Sequence, residues 1–234
     1  MKCLRYVCLI SVITTGQWML GQSGGLGSDQ QLQRGVSVQM AVANDSQPVP
    51  AADEQGAWIV SVSGDGTLYF GTDSVTHDTL VQQMISHPRR RDLKLYIKAD
   101  ARTKYANVQK ALDAARAAGF DEPVLLTTRE ELPTAGSRVA PEGFEVRVGA
   151  LESGGEPTVL ELLRSEQGPP ALRIDGRKVS WDHLRSSLSQ TLGTQKENVT
   201  LVRADAELEF AQLVYVIDAC RSVGAKVVLV TPKL

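Results

Sequence analysis

An α+β fold of α/β-like character, built from two tandem ββαβαβ units, is what this sequence predicts. Three observations carry that expectation. Residues 93–127 and 198–231 echo one another: aligned on Ala99-Asp100 and Ala204-Asp205, the stretches 99–119 and 204–224 share eight identical positions of 21, including Asp113/Asp218 and Gly119/Gly224. Self-similarity at a fixed offset sets architecture before any local signal. Apolar runs at 58–62, 93–99 and 199–204 read as strands, and apolar residues at helical spacing follow each Ala-Asp pair. Each unit is therefore expected to be a small mixed sheet with helices on one face.

The elements follow in order. Trp58 to Val62 and Leu68 to Phe70 flank Gly64-Asp65-Gly66, a turn composition that predicts a hairpin, because Gly and Asp tolerate positive φ. Residues 73–86 place Val75, Leu80, Val81, Met84 and Ile85 on one helical face. Residues 93–99 alternate as a strand. Val108, Ala111, Leu112 and Ala115 then form an amphipathic helix over 106–118, which Gly119 stops, before a short strand at 124–127. Residues 129–143 are rich in Pro, Gly and charge, so the domain boundary is expected there, with domains at 35–128 and 144–234. In the second unit, strands are expected at 144–148, 159–163 and 172–174, a helix at 179–192, a strand at 199–204, a helix at 211–223 and a strand at 227–231.

Ahead of the first unit, Lys2 and Arg5 precede the apolar run 7–20, and small residues follow at Gly21 and Ser23. That arrangement fits a secretory signal peptide over 1–23. A short membrane anchor is the rival reading, although the run falls below the ~20 residues a span needs. Either one places the body of the protein outside the cytoplasm, in the periplasm or envelope. Residues 24–34 read as a polar linker, and the alternating 35–42 as a strand or extended arm.

The chemistry-bearing residues are few. A net charge of −2 argues against a nucleic-acid partner, and the one basic run, Arg89-Arg90-Arg91, reads as a solvated loop. His77, His87 and His183 lack metal-ligand spacing. Cys220 lies on an apolar stripe and reads as a buried small hydrophobe. No nucleophile–base series, phosphate loop or paired-carboxylate site is visible, so no catalytic, cofactor or metal residue is expected and the chain does not read as an enzyme. Asp100 and Asp205 stand out as structural or partner-contact residues. Each follows a strand, and each is placed either to accept backbone N–H bonds in the strand-to-helix turn or to meet a partner. Tyr105, Phe210, Gly35, Val36 and Val38 are candidates of the same kind. Asp113 and Asp218 are expected to face solvent or to bond Arg116 and Arg221, while Trp58 and Trp181 read as core anchors.

The series of a Gly35-Val36-x-Val38 arm, strand–turn–strand, helix, then strand–Ala-Asp–helix–Gly–strand resembles the periplasmic domain of the ExbD/TolR biopolymer-transport family. Trp58 to Gly71, Leu95 to Asp100, Tyr105, Val108, Asp113 and Gly119 carry the resemblance in the first unit. Leu184, Asp205, Phe210, Asp218 and Gly224 carry it in the second. The resemblance implies an envelope protein that acts by protein–protein contact in energy transduction, with an ExbB/TolQ-like channel subunit and a TonB/TolA-like protein as partners. It also implies a transmembrane aspartate, yet residues 7–20 contain no Asp or Glu. That departure leaves open a standalone interaction or scaffold module that has lost the motor connection. The family carries one copy and dimerises, so the duplication further implies a chain that forms both halves of such a dimer.

Overall fold

The structure is a computed structural model that describes residues 35–87, 93–130, 140–149, 157–193 and 198–231. The expected targeting segment and linker, the Arg89–Arg91 run, and most of the boundary at 129–143 lie outside these residues. In chain order the first part comprises β1 (Gln47–Pro48), a 3-10 helix (Pro50–Asp53), β2 (Trp58–Val62), β3 (Leu68–Phe70) and β4 (Asp73–Val75). It continues through α1 (His77–Ser86), β5 (Leu95–Ala99), α2 (Tyr105–Ala117) and β6 (Val124–Thr127). The second part comprises β7 (Glu142–Glu145), β8 (Arg147–Val148), β9 (Thr158–Leu163), β10 (Ala171–Ile174) and β11 (Arg177–Val179). A 3-10 helix (Trp181–His183), α3 (Leu184–Leu192), β12 (Val199–Ala204), α4 (Phe210–Ser222) and β13 (Lys226–Leu229) complete it.

Two mixed sheets result, ordered β1-β7-β6-β5-β2-β3-β4 and β11-β10-β9-β12-β13-β8. Within each, three parallel strands (β2, β5, β6 and β9, β12, β13) carry an antiparallel hairpin on one side. The α-helices cover one face. Val60, Ile97 and Leu125 of the first sheet share a single buried cluster with Leu112 of α2, Leu160 and Val202 of the second sheet, and Ile217 of α4. Each such aliphatic side chain contributes about 1.5–3 kcal/mol by leaving water. Because that cluster is continuous, the two units share one core.

The turns form as their residues require. In the β2–β3 hairpin Gly66 has φ +89°, and the N–H of Gly66 donates to the Ser63 carbonyl at 2.9 Å. Helices α2 and α4 end where Gly119 and Gly224 take φ of +79° and +77°, a conformation that costs glycine little.

Several expectations need correction. Asp73–Val75 is not the start of a helix but a third hairpin strand, paired with β3; Thr76 then caps α1, its hydroxyl accepting from the N–H of Thr79. Val179 likewise ends a strand, and a 3-10 turn precedes α3. The unit order thus gains a short strand before its first helix. Of the two readings for 35–42, the extended arm is the one found: among the described residues it makes isolated bridges, Met40 with Asp100 and Val42 with Thr128. The expected strand at 144–148 is split between the sheets. Its first part, β7, pairs antiparallel with β6 of the first sheet, and its second, β8, runs parallel to β13 of the second. The N–H groups of Val146 and Val148 continue the first pairing to the carbonyls of Pro123 and Asp121, while the N–H of Gly149 donates to Leu229. This segment therefore stitches one sheet to the other.

Candidate functional site

The residues singled out by the duplication converge on a seam between the units. Helices α2 and α4 each begin without a side-chain cap: neither Lys104 nor Glu209 supplies one. A helix start leaves N–H groups without intrahelical partners, and buried ones must find acceptors elsewhere. Here each helix finds them in the other unit. The N–H of Tyr105 donates to the Leu208 carbonyl at 2.7 Å and that of Ala106 to Ala206 at 2.8 Å. Reciprocally, the N–H of Phe210 donates to Thr103 at 2.9 Å and that of Ala211 to Ala101 at 2.9 Å. Shifting every residue of the first pair by the 105-residue offset of the duplication yields the second. The exchange is self-complementary, as at a two-fold interface, with the Lys104–Glu209 bridge on its axis. Tyr105 and Phe210 are both buried in the shared core, and burial pushes the Tyr105 phenol above its ordinary pKa. Outside, Lys104 Nζ pairs with Glu207 Oε2 at 2.6 Å.

Asp100 and Asp205 set the turns that aim these helix starts. Asp100 Oδ1 accepts from the N–H of Arg102 at 3.0 Å, and Asp205 Oδ1 accepts from the N–H of Glu207 at 2.9 Å. Both are i to i+2 turns that hold the loop open toward the other unit. Beyond this the two differ. Asp100 is buried, and its carboxylate also takes Arg102 Nε and Nη2, each at 2.9 Å, and the N–H of Gln39 at 3.3 Å. The hydrogen-bonded Arg102 guanidinium, with these backbone donors, holds the Asp100 pKa down at about 2. Asp205 is half-buried and bonds no cation among the described residues.

Gly35, Val36 and Val38 lie in the arm, half-buried. Gly35 sits against β2 with φ +86°, where a Cβ would stand 2.8 Å from Ser61 Oγ. From there the chain crosses the ends of β5 and β6: the N–H of Ala101 donates to Gln39, that of Thr128 to Ala41, and that of Ala43 to Thr128. It then reaches the second unit. Asp218 Oδ1 accepts from the N–H groups of Asn44 and Asp45 at 2.9 and 2.7 Å, and Oδ2 takes Arg185 Nη2 at 2.8 Å. Arg185 Nη1 also lies 3.4 Å from Asp45 Oδ2. Asp218 and Asp113 are thus buried, not solvent-facing. Asp218 bonds the arm and Arg185 in place of Arg221, whereas Asp113 keeps Arg116, at 3.5 Å. Nothing in the local sequence around Asp218 reveals an acceptor for residues more than 170 positions away.

The remaining candidates are structural. Cys220 is buried, and burial lifts its thiol pKa to about 12. Trp58 packs edge-on against Phe70 and His87, and Trp181 donates its indole N–H to Pro170 at 2.8 Å while packing at a tilt against Tyr215. No group of side chains suited to a metal ion occurs among the described residues. Nor, among them, is any helix long and apolar enough to cross a membrane.

Fold and seam together define a duplicated α+β domain, folded against its own copy. A family model for the biopolymer transport protein ExbD/TolR matches the chain twice, over residues 27–130 and 131–233. The chain therefore belongs to the ExbD/TolR family, and it carries the family's domain in tandem. No curated protein matches it. Proteins of this family are envelope-associated accessory proteins of biopolymer transport, not enzymes, and generally act with ExbB/TolQ and TonB/TolA partners.

Proposed function

We propose that this chain is an exported binding subunit of a biopolymer-transport energy-transduction system, and that it supplies within one polypeptide the pair of domains that single-copy members assemble by dimerisation. The observation that carries the reading is the reciprocal seam: four helix-start hydrogen bonds related by the duplication's own offset. Tyr105, Phe210, Asp100 and Asp205 build that seam and its turns. The surfaces left for other proteins are the arm with Gly35, Val36 and Val38, and the outermost hairpin strands β4 and β11, which end their sheets among the described residues. An extended segment can add to such an edge through main-chain hydrogen bonds. The body would lie in the periplasm, after export by residues 1–23 or tethered through them.

A second reading is a standalone periplasmic interaction or scaffold module. It rests on residues 7–20, which hold no carboxylate to carry a proton. Gentle extraction and co-purification discriminate between the two. Recovery of an ExbB/TolQ-like channel subunit or a TonB/TolA-like protein supports the transport reading; repeated recovery of the chain with neither favours the module.

A further inference from the structure

The two sheets have equivalent outer faces, turned away from the α-helices, and the chain treats them differently. On the first sheet, Ile59, Tyr96, Val124 and Leu126 form a small apolar cluster of their own. Ala52 of the 3-10 helix Pro50–Asp53 completes that cluster, with Met40, Val49 and Ala57 packed around it. The covering segment is acidic. Lys98, on the same outer face beside Ser61, is buried; burial pushes its ammonium pKa down, and the Asp53 charge opposes that shift. One outer face is thus closed by small apolar side chains and a carboxylate set near a cation.

On the second sheet the register places Arg147, Val228, Leu201 and Val159 in one row across β8, β13, β12 and β9. The next row runs Arg203, Glu161, Arg173 and Lys178 across β12, β9, β10 and β11. Alternate residues of a strand share a face, so both rows lie on one surface. Arg147, Arg203, Arg173 and Lys178 are exposed, and none forms an ion pair among the described residues. Leu201 and Val159 are half-buried, and Val228 is buried. The equivalences are residue for residue: Val159, Leu201 and Val228 occupy the pairing positions of Ile59, Tyr96 and Val124, and Arg203 that of Lys98. Among the described residues no acidic helix lies on this face.

We propose that the outer face of the second sheet docks an acidic polypeptide segment of a partner protein. Its small apolar side chains lie on Val159 and Leu201, and its carboxylates face Arg203, Arg173 and Arg147. The first sheet supplies the template, because the same positions there are closed by a segment of this chemistry. Glu161 lies between Arg203 and Arg173 in the register, which disfavours a continuous polyanion and selects spaced carboxylates. This surface goes beyond the reading above, since it uses neither seam, arm nor open edges.

The test adds a peptide of residues 49–57 (VPAADEQGA) at millimolar concentration to the intact protein, followed by NMR. The proposal expects salt-sensitive amide shifts at Val159, Leu201, Arg173 and Arg203. It also expects binding at least about tenfold weaker in R173Q/R203Q, whose exposed replacements set no like charge beside Glu161 and so leave the melting temperature within a few degrees of the parent, and no binding of a peptide with Lys at the Asp and Glu positions. Shifts confined to Ile59, Tyr96 and Lys98, or none, overturn the proposal. So does capture by phosphatidylglycerol vesicles through the same arginines without any response to the peptide.

Discussion

Asp218 shows how much one carboxylate can organise. It takes two arm N–H groups and Arg185 while almost fully buried. Removing it leaves these donors without their acceptor, so Asp218→Ala is expected to cost about 2–3 kcal/mol in urea denaturation. It should also speed amide exchange at Asn44 and Asp45 well beyond that at Tyr105; unchanged exchange at those two residues would show that the arm does not depend on it. Asp100 makes a pH-dependent contribution. Its folded pKa, about 2, lies below the ordinary carboxylate value, so its stabilisation is complete at neutral pH, is lost as pH falls through the window from about 4, and is gone below about 2. Asp100→Asn should therefore lower stability by about 1–3 kcal/mol at pH 7 and have less effect near pH 2. An equal loss at both pH values would contradict that account. Of these two residues the sequence makes Asp100 legible, because an Asp between strand and helix has a local use. The role of Asp218 was hidden, since its partners arrive from the far end of the chain.

At the scale of elements, the hairpins and helix stops were readable because turn residues act locally. Within one turn, Gly64 and Gly66 separate by geometry. A Cβ on Gly64 meets nothing nearer than 3.5 Å, whereas on Gly66 it would stand 2.3 Å from Asn107 Nδ2, at φ +89°. Gly64→Ala should change stability by less than about 0.5 kcal/mol and Gly66→Ala should cost about 1–3 kcal/mol, as read from thermal unfolding; equal effects would refute this packing of hairpin on α2. Strand β7 offers a sharper case. A Cβ on Gly143 would stand 2.5 Å from the Leu125 carbonyl oxygen, so Gly143→Ala should destabilise by about 3 kcal/mol. Strand β4, and the sheet that β7 would join, were not legible in the sequence. Helical spacing of apolar residues runs on through Val75, and no local signal tells a strand which of two sheets it will join.

The molecule as a whole follows from duplication plus one unmet need. Each unit has a helix that starts without a cap, and each loop presents carbonyls to the other unit's helix. Since both requirements are encoded once and copied, satisfying one contact satisfies its mate. The shared core then makes the pair a single cooperative body, one that the repeat implied but whose bonding pattern only the fold displays. Native-state hydrogen exchange at Tyr105, Ala106, Phe210 and Ala211 tests this most directly. The account predicts that all four amides open only with global unfolding, at one common free energy. Exchange of these four through a cheaper opening, while the core amides of Ile97 and Val202 stay protected, would mean that the units fold separately and merely touch.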